Sequence, residues 1–172
     1  MREKLRSIFW AITCAAGIML AITGCTGARL TAKPEVAGGA LKLTSVKVQW
    51  VKFNGVTLRY PQAFGADYSA KEVAPVLDAF LTKGPEKIEK LLAESGVPKG
   101  SDFTLELTPK TFTYNGAGAK HFEISVVIRA ASGQTRGWLS VAANGSDYVN
   151  PESFVDSFAK TLVDEMKNAG WY

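Results

Sequence analysis

Phe122-Glu123-Ile124-Ser125-Val126-Val127-Ile128-Arg129-Ala130 decides the fold: Phe122, Ile124, Val126, Ile128 and Ala130 hold every second position. A period of two puts those five side chains on one face of a strand. Ser132-Gly133 follows as a tight turn. A two-residue loop there sets Val126 opposite Leu139 and Ile124 opposite Val141, so two strands present one apolar face together. Such a face needs a cover.

Outward from this pair, Phe103, Leu105 and Leu107 alternate up to Pro109, with Phe112 and Tyr114 beyond it and Asn115-Gly116-Ala117-Gly118 turning the chain. Proline inside a strand implies an edge position or a bulge, because it cannot donate to the ladder. Downstream, Asn150-Pro151 caps a helix that runs to about Ala169 and stops at Gly170. Its Phe154, Val155, Phe158, Leu162 and Met166 share one face. Glu152 and Asp156 lie near its positive end and Lys167 near its negative end, as the dipole favours.

In the first half, Val46, Val48 and Trp50 alternate, and Asn54-Gly55 stands between Phe53 and Val56. Asn-Gly between apolar residues predicts a hairpin of strands 43–53 and 56–60, ended by Pro61. Residues 71–95 predict one kinked helix or two short ones. Ser69 and Glu72 have capping-box spacing, and Val73, Val76, Leu77, Phe80 and Leu81, then Ile88, Leu91 and Leu92, recur at helical intervals. Pro75 and Gly84-Pro85 interrupt the pattern, and Gly96 suits the C-cap. The expected order is β-β-α-β-β-β-α. That is an α+β fold: an antiparallel sheet of about five strands with two helices packed on one face.

The chemistry-bearing residues are few. His121 is the single histidine, and one strand histidine is more often structural than catalytic. Zinc in its usual N/S coordination lacks ligands, and Asp147, Glu152 and Asp156 are too spread for a calcium loop, so no metal or other cofactor is expected. Gly116-Ala117-Gly118-Ala119-Lys120 joins two strands, whereas a phosphate loop joins a strand to a helix. Glu106 and Glu123 on neighbouring strands would be the carboxylate pair of a hydrolase. What remains is recognition by aromatics with a polar handle: Trp138, Trp50, Tyr60, Phe64, Tyr68 and Trp171. Trp138 should point away from the helices, and Val46, Val48 and Trp50 could line a similar outer surface.

The first two dozen residues address the chain. Arg2, Lys4 and Arg6 precede the mostly apolar run Ile8–Ala21, which closes on Ile22-Thr23-Gly24-Cys25. The run is shorter than the roughly 20 residues that span a bilayer, and it has the three regions of a secretory signal. It resembles the lipobox of bacterial lipoproteins, in which an aliphatic and two small residues precede a cysteine that is lipidated and becomes the new N-terminus. The resemblance implies a signal peptide over 1–24 and acyl chains on Cys25; Thr26, in place of an aspartate retention signal, favours the outer membrane with the domain facing the periplasm. Gly27, Pro34, Gly38 and Gly39 read as a lipidated flexible tether over 25–40, leaving 41–172 as one domain.

Of the 2 cysteines, Cys14 leaves with the leader and Cys25 is acylated, so no disulfide is expected. The formal charge of +4 belongs partly to the leader. Export, with no Arg/Lys cluster, speaks against a nucleic-acid partner. The element order is similar to the lipopolysaccharide-assembly lipoprotein and to auxiliary lipoproteins of envelope ABC transporters. The expected function is a non-catalytic envelope lipoprotein that binds a protein complex as an assembly or transport accessory. A lipid or glycolipid carrier, an immunity protein against a periplasmic toxin and an envelope hydrolase are the alternatives.

Overall fold

A computed structural model of the chain describes residues 26–172, so the leader and Cys25 lie outside the described residues. The alternating stretch forms the centre of a mixed six-stranded sheet. Its strands are β1 (Gly27–Val36), β2 (Val46–Trp50), β3 (Thr57–Arg59), β4 (Phe103–Tyr114), β5 (Ala119–Ala130) and β6 (Thr135–Ser146). Two helices, α1 (Ala66–Glu94) and α2 (Pro151–Asn168), complete the α+β fold. The sheet order is β1-β6-β5-β4-β2, with β3 also on β4.

The meander β4-β5-β6 has the expected register, with Val126 opposite Leu139 and Ile124 opposite Val141. The turn between β5 and β6 is one residue longer than expected: the Ala130 N–H bonds the Gln134 carbonyl, and a bulge between Ile128 and Arg129 restores the register. Pro109 lies at a register shift between β4 and β5. On its other side β2 pairs as far as Leu107 and β3 begins at Thr111. Proline thus occupies the gap where neither neighbour asks it for an N–H.

Three expectations are corrected. The Asn54-Gly55 hairpin does not form: β2 and β3 both run parallel to β4 as one interrupted edge strand. Lys52 takes the left-handed conformation (φ 53°), residues 53–55 form a 3₁₀ turn, and Phe53 packs edge-on against Trp50 at 4.7 Å. Parallel pairing wins because it buries Val46 and Val48 against the helices, on the inner face. Second, residues 27–36 are strand, not tether, and pair antiparallel with β6. Leu30 and Ala28 join the core between exposed neighbours, and β1 closes an edge that β6 would otherwise leave open. The chain then crosses to the opposite edge over residues 37–45, where Leu41 and Leu43 are buried and the Leu43 N–H bonds the Trp171 carbonyl at 2.8 Å.

Third, α1 is continuous and starts before Ser69, whose hydroxyl donates back to the Gly65 carbonyl at 2.9 Å and caps nothing. Pro75 and Pro85 lie inside it. The carbonyls they leave without a donor belong to Lys71 and Leu81, both exposed, where water can serve them. Leu81 is outside the core, 47% exposed.

Both helices end as the sequence implies. Gly96 and Gly170 have φ of +94° and +71°, which L side chains rarely adopt. The Val97 N–H reaches the Leu92 carbonyl and the Trp171 N–H reaches that of Met166, each a six-to-one closure. Asn150 caps α2 by accepting from the Glu152 N–H at 2.9 Å. Both helices cover one sheet face, and Phe80 meets Phe122 at 5.0 Å and Phe158 at 5.5 Å where the layers join. The exposed edge of β2 is guarded: Glu89 accepts the Val48 N–H at 2.9 Å and holds Lys99 at 2.7 Å.

Candidate functional site

The six aromatics expected at a site do not come together. Trp171 is in the core, 2% exposed. The closure of α2 drives it there, placing it beside Leu41 and Gly137. Trp50 is on the inner face, its indole N–H donating to the Phe80 carbonyl at 3.1 Å, so the outer surface expected for Val46, Val48 and Trp50 does not exist. Tyr60, Phe64 and Tyr68 gather at the end of the sheet where β3 finishes. Trp138 alone lies on the open face, 37% exposed and opposite Val127.

That open face is the side of the sheet the helices leave uncovered. Across its middle lie Ser125 and Ser140, short side chains that keep it low, while Ala142 is buried beneath its neighbours. Charged and polar groups frame them in pairs. Arg129 donates through Nε to Glu106 at 2.6 Å and through a terminal nitrogen to the Thr135 hydroxyl at 3.0 Å. Thr31 donates to Glu123 at 3.0 Å, and His121 Nδ1 lies 2.6 Å from Asn144 Oδ1. The last contact requires a proton on Nδ1, since an amide oxygen only accepts.

The face does not assemble hydrolytic chemistry. Glu106 is opposite Val127, four residues along β5 from Glu123, an offset of roughly 13 Å. Glycosidase carboxylates stand about 5 to 9.5 Å apart. Each of these two is also engaged by its own donor. Among the described residues no group of three or more His, Cys, Asp or Glu could hold a metal ion, and no helix is long and apolar enough to cross a membrane.

A second cluster escaped the sequence reading. Lys120 is 8% exposed and pairs with Asp147 at 2.7 Å, its ammonium 5.9 Å from the centre of the Tyr114 ring. The Tyr114 hydroxyl donates to the other Asp147 oxygen at 3.3 Å, and the Tyr68 ring packs 6.4 Å from it. Burial first, then Tyr68 and the Asp147 charge, push the Tyr114 phenol well above its ordinary range. The signal was available: Lys120 is in phase with Phe122 and Ile124, so the same alternation that buries them turns Lys120 inward.

No protein-family model and no curated protein matches the chain. Among solved structures it is similar to a point variant of the PelC dodecamer from Paraburkholderia phytofirmans: 15% identity over 82% of this chain and 97% of that one, TM-score 0.42. Another PelC dodecamer from the same organism gives 14%, 82%, 97% and 0.35. An uncharacterized protein gives 16%, 76%, 92% and 0.36. At these scores the functional reading rests on the chain's own residues.

Proposed function

We propose that this chain is a non-catalytic lipoprotein of the bacterial envelope, acylated at Cys25, whose domain binds a protein partner through the open face of its sheet. The single observation that carries the reading is the asymmetry of the sheet. One face is sealed by helices, while the other presents Trp138 beside the short side chains of Ser125 and Ser140, rimmed by paired charges. An exposed tryptophan inside a polar rim is the type of anchor a recognition patch uses. The lipobox supplies the compartment, and Thr26 favours the outer membrane with the domain in the periplasm. The role is that of an accessory to an assembly or transport complex. A lipid carrier needs volume between helices and sheet, and Phe80, Phe112, Phe122 and Phe158 fill that space.

A photo-crosslinking residue at position 140, introduced in cells, tests this. The expected outcome is one discrete adduct of fixed stoichiometry, absent when the label sits at exposed Lys90 on α1. Equal labelling from both positions, or adducts from position 90 alone, overturns the assignment of the face.

A further inference from the structure

Strand β1 starts at Gly27, opposite Asn144; Asn144 is opposite His121, and His121 opposite Thr113. The start of β1 therefore lies at the end of the sheet where β3, β4 and β6 finish and β5 begins. Both helices also begin there. Of the six exposed large apolar side chains among the described residues, three are at this end: Phe64 (43% exposed), Tyr68 (47%) and Tyr148 (90%). They form one rim. Phe64 and Tyr68 stack at 6.0 Å, and a Cβ added to Gly116 would lie 2.2 Å from the Phe64 ring. The Asp147 N–H bonds the Gly118 carbonyl at 2.9 Å, which sets Tyr148 beside the same turn. Toward the opposite end Thr44 and Ser45 donate to Asp102 at 2.7 and 2.8 Å, and the exposed large apolar residues among the described ones are Val36 and, one register position further in, Trp138.

Cys25 precedes Gly27 by two residues. At no more than 3.6 Å per residue, its Cα lies within about 7 Å of the start of the strand. With β1 locked into the sheet there is no slack between anchor and domain. We infer that the aromatic end of the domain, bearing Phe64, Tyr68 and Tyr148, rests in the interfacial layer of the lipid bilayer. This rests on acylation of Cys25. Acyl chains on that sulfur hold residue 25 at headgroup depth and bring the rim with it. Tyrosine suits that layer, its ring apolar and its hydroxyl wet, and Phe64 adds apolar area beside Tyr68. The strands then stand away from the membrane, and the turn at Gly133 lies roughly 40 Å above it. The open face looks sideways along the membrane, toward a neighbour anchored in the same leaflet or spanning it.

The test uses the full acylated chain in vesicles of phosphatidylethanolamine and phosphatidylglycerol. Single nitroxide labels are placed at Tyr148→Cys, at Ala117→Cys on the β4–β5 turn, and at Ser132→Cys at the far end. All three positions are exposed, so the labels leave the core alone. Collision with oxygen relative to a water-soluble nickel chelate reports depth. The expected ratio at 117 and 148 is several-fold that at 132. An aqueous signal at 117 or 148, on protein whose mass shows the acyl chains, overturns the seating and leaves the anchor standing. A mass without acyl chains removes the anchor, and the seating with it.

Discussion

The two faces of the sheet are written by the same strands and obey different constraints. On the covered face Phe112, Ile124, Phe122 and Leu139 are fully buried against Phe80 and Phe158. On the open face the residues between them, Glu123, Ser125 and Ser140, touch short neighbours or water. Alternation assigns each residue to a face and says nothing of how tightly it is held there. Tightness comes from the second layer, which exists on one side only among the described residues. Mutations should therefore divide by parity: even positions of β5 control stability, and odd ones control what the protein recognises.

The largest effect expected is at Phe122, 0% exposed, with Phe80 at 5.0 Å and Phe112 at 5.2 Å. Phe122→Ala should cost about 3–5 kcal/mol by lost transfer energy plus cavity. Glu123→Ala, one residue on, should stay within about 1 kcal/mol. Urea midpoints of the two variants check the contrast. Equal losses would mean that the open face is packed as tightly as the covered one.

The next break lies where the faces lose their distinction, at Lys120, a cation on an inward position. Removing its partner by Asp147→Ala leaves that charge buried. The full penalty for breaking a buried pair is about 3–5 kcal/mol. Asp147's side chain is 27% exposed, so water reaches one side of the pair, and about 2 kcal/mol is expected. Lys120→Met leaves the Asp147 carboxylate, which water reaches and the Tyr114 hydroxyl still serves, and should cost less, under about 1 kcal/mol. Similar losses for the two would show that packing of the lysine stem, not charge, matters there.

Tyr114, 1% exposed, sharpens the same comparison through pH. Its folded pKa is raised, chiefly by burial and further by Tyr68 and Asp147. The native state thus keeps the phenol protonated where the unfolded chain ionises, above about pH 10. The stabilisation is complete below the unfolded pKa and is lost as pH rises from about 10 toward the folded value. Tyr114→Phe should cost about 1 kcal/mol or less at neutral pH, for one hydrogen bond of 3.3 Å. It should also flatten the fall of stability above pH 10, which denaturant midpoints across pH 9–11 would resolve. An unchanged slope would place the ionisation elsewhere.

The meander and α2 were legible because their signals are local and agree with one another. The period of two fixes the faces of the strands, a bulge absorbs the extra turn residue without disturbing them, and the Asn150-Pro151 cap marks the start of α2. The rest depended on pairings that a sequence pattern does not carry. Strand β1 suffers two register shifts, between Leu30 and Ala32 and between Ala32 and Glu35, and contains Pro34. Its alternation is smeared until β6 is present to define it. Asn54-Gly55 is a genuine turn signal, overruled because a parallel partner, β4, offers Val46 and Val48 more burial than a hairpin would. Of the candidate site, outward Trp138 could be read from parity alone. The burial of Trp50 and Trp171 could not, since the first depends on α1 crossing over it and the second on the closure of α2 at Gly170. The aromatic end emerges from topology, which brings residues 64 and 68 beside residue 148 across about eighty residues of sequence.

The smallest effect on stability is expected at Trp138, and it divides the faces most cleanly. The indole is 37% exposed and sits opposite Val127 on a surface with no helix above it. Trp138→Ala removes its pairing with Val127 and with Glu35, each cross-strand pair worth about 0.2–1 kcal/mol, so the urea midpoint should move little. If the open face is the recognition surface, a tryptophan is the type of side chain that dominates binding, at about 2 kcal/mol or more. That corresponds to a roughly thirtyfold weaker partner complex. Recovery of the crosslinked partner from cells, measured beside the midpoint, separates the two quantities. Lost recovery at unchanged stability is the signature of a face shaped for contact. Unchanged recovery would return Trp138 to the ordinary exposed aromatics and move the search for the partner site to another surface.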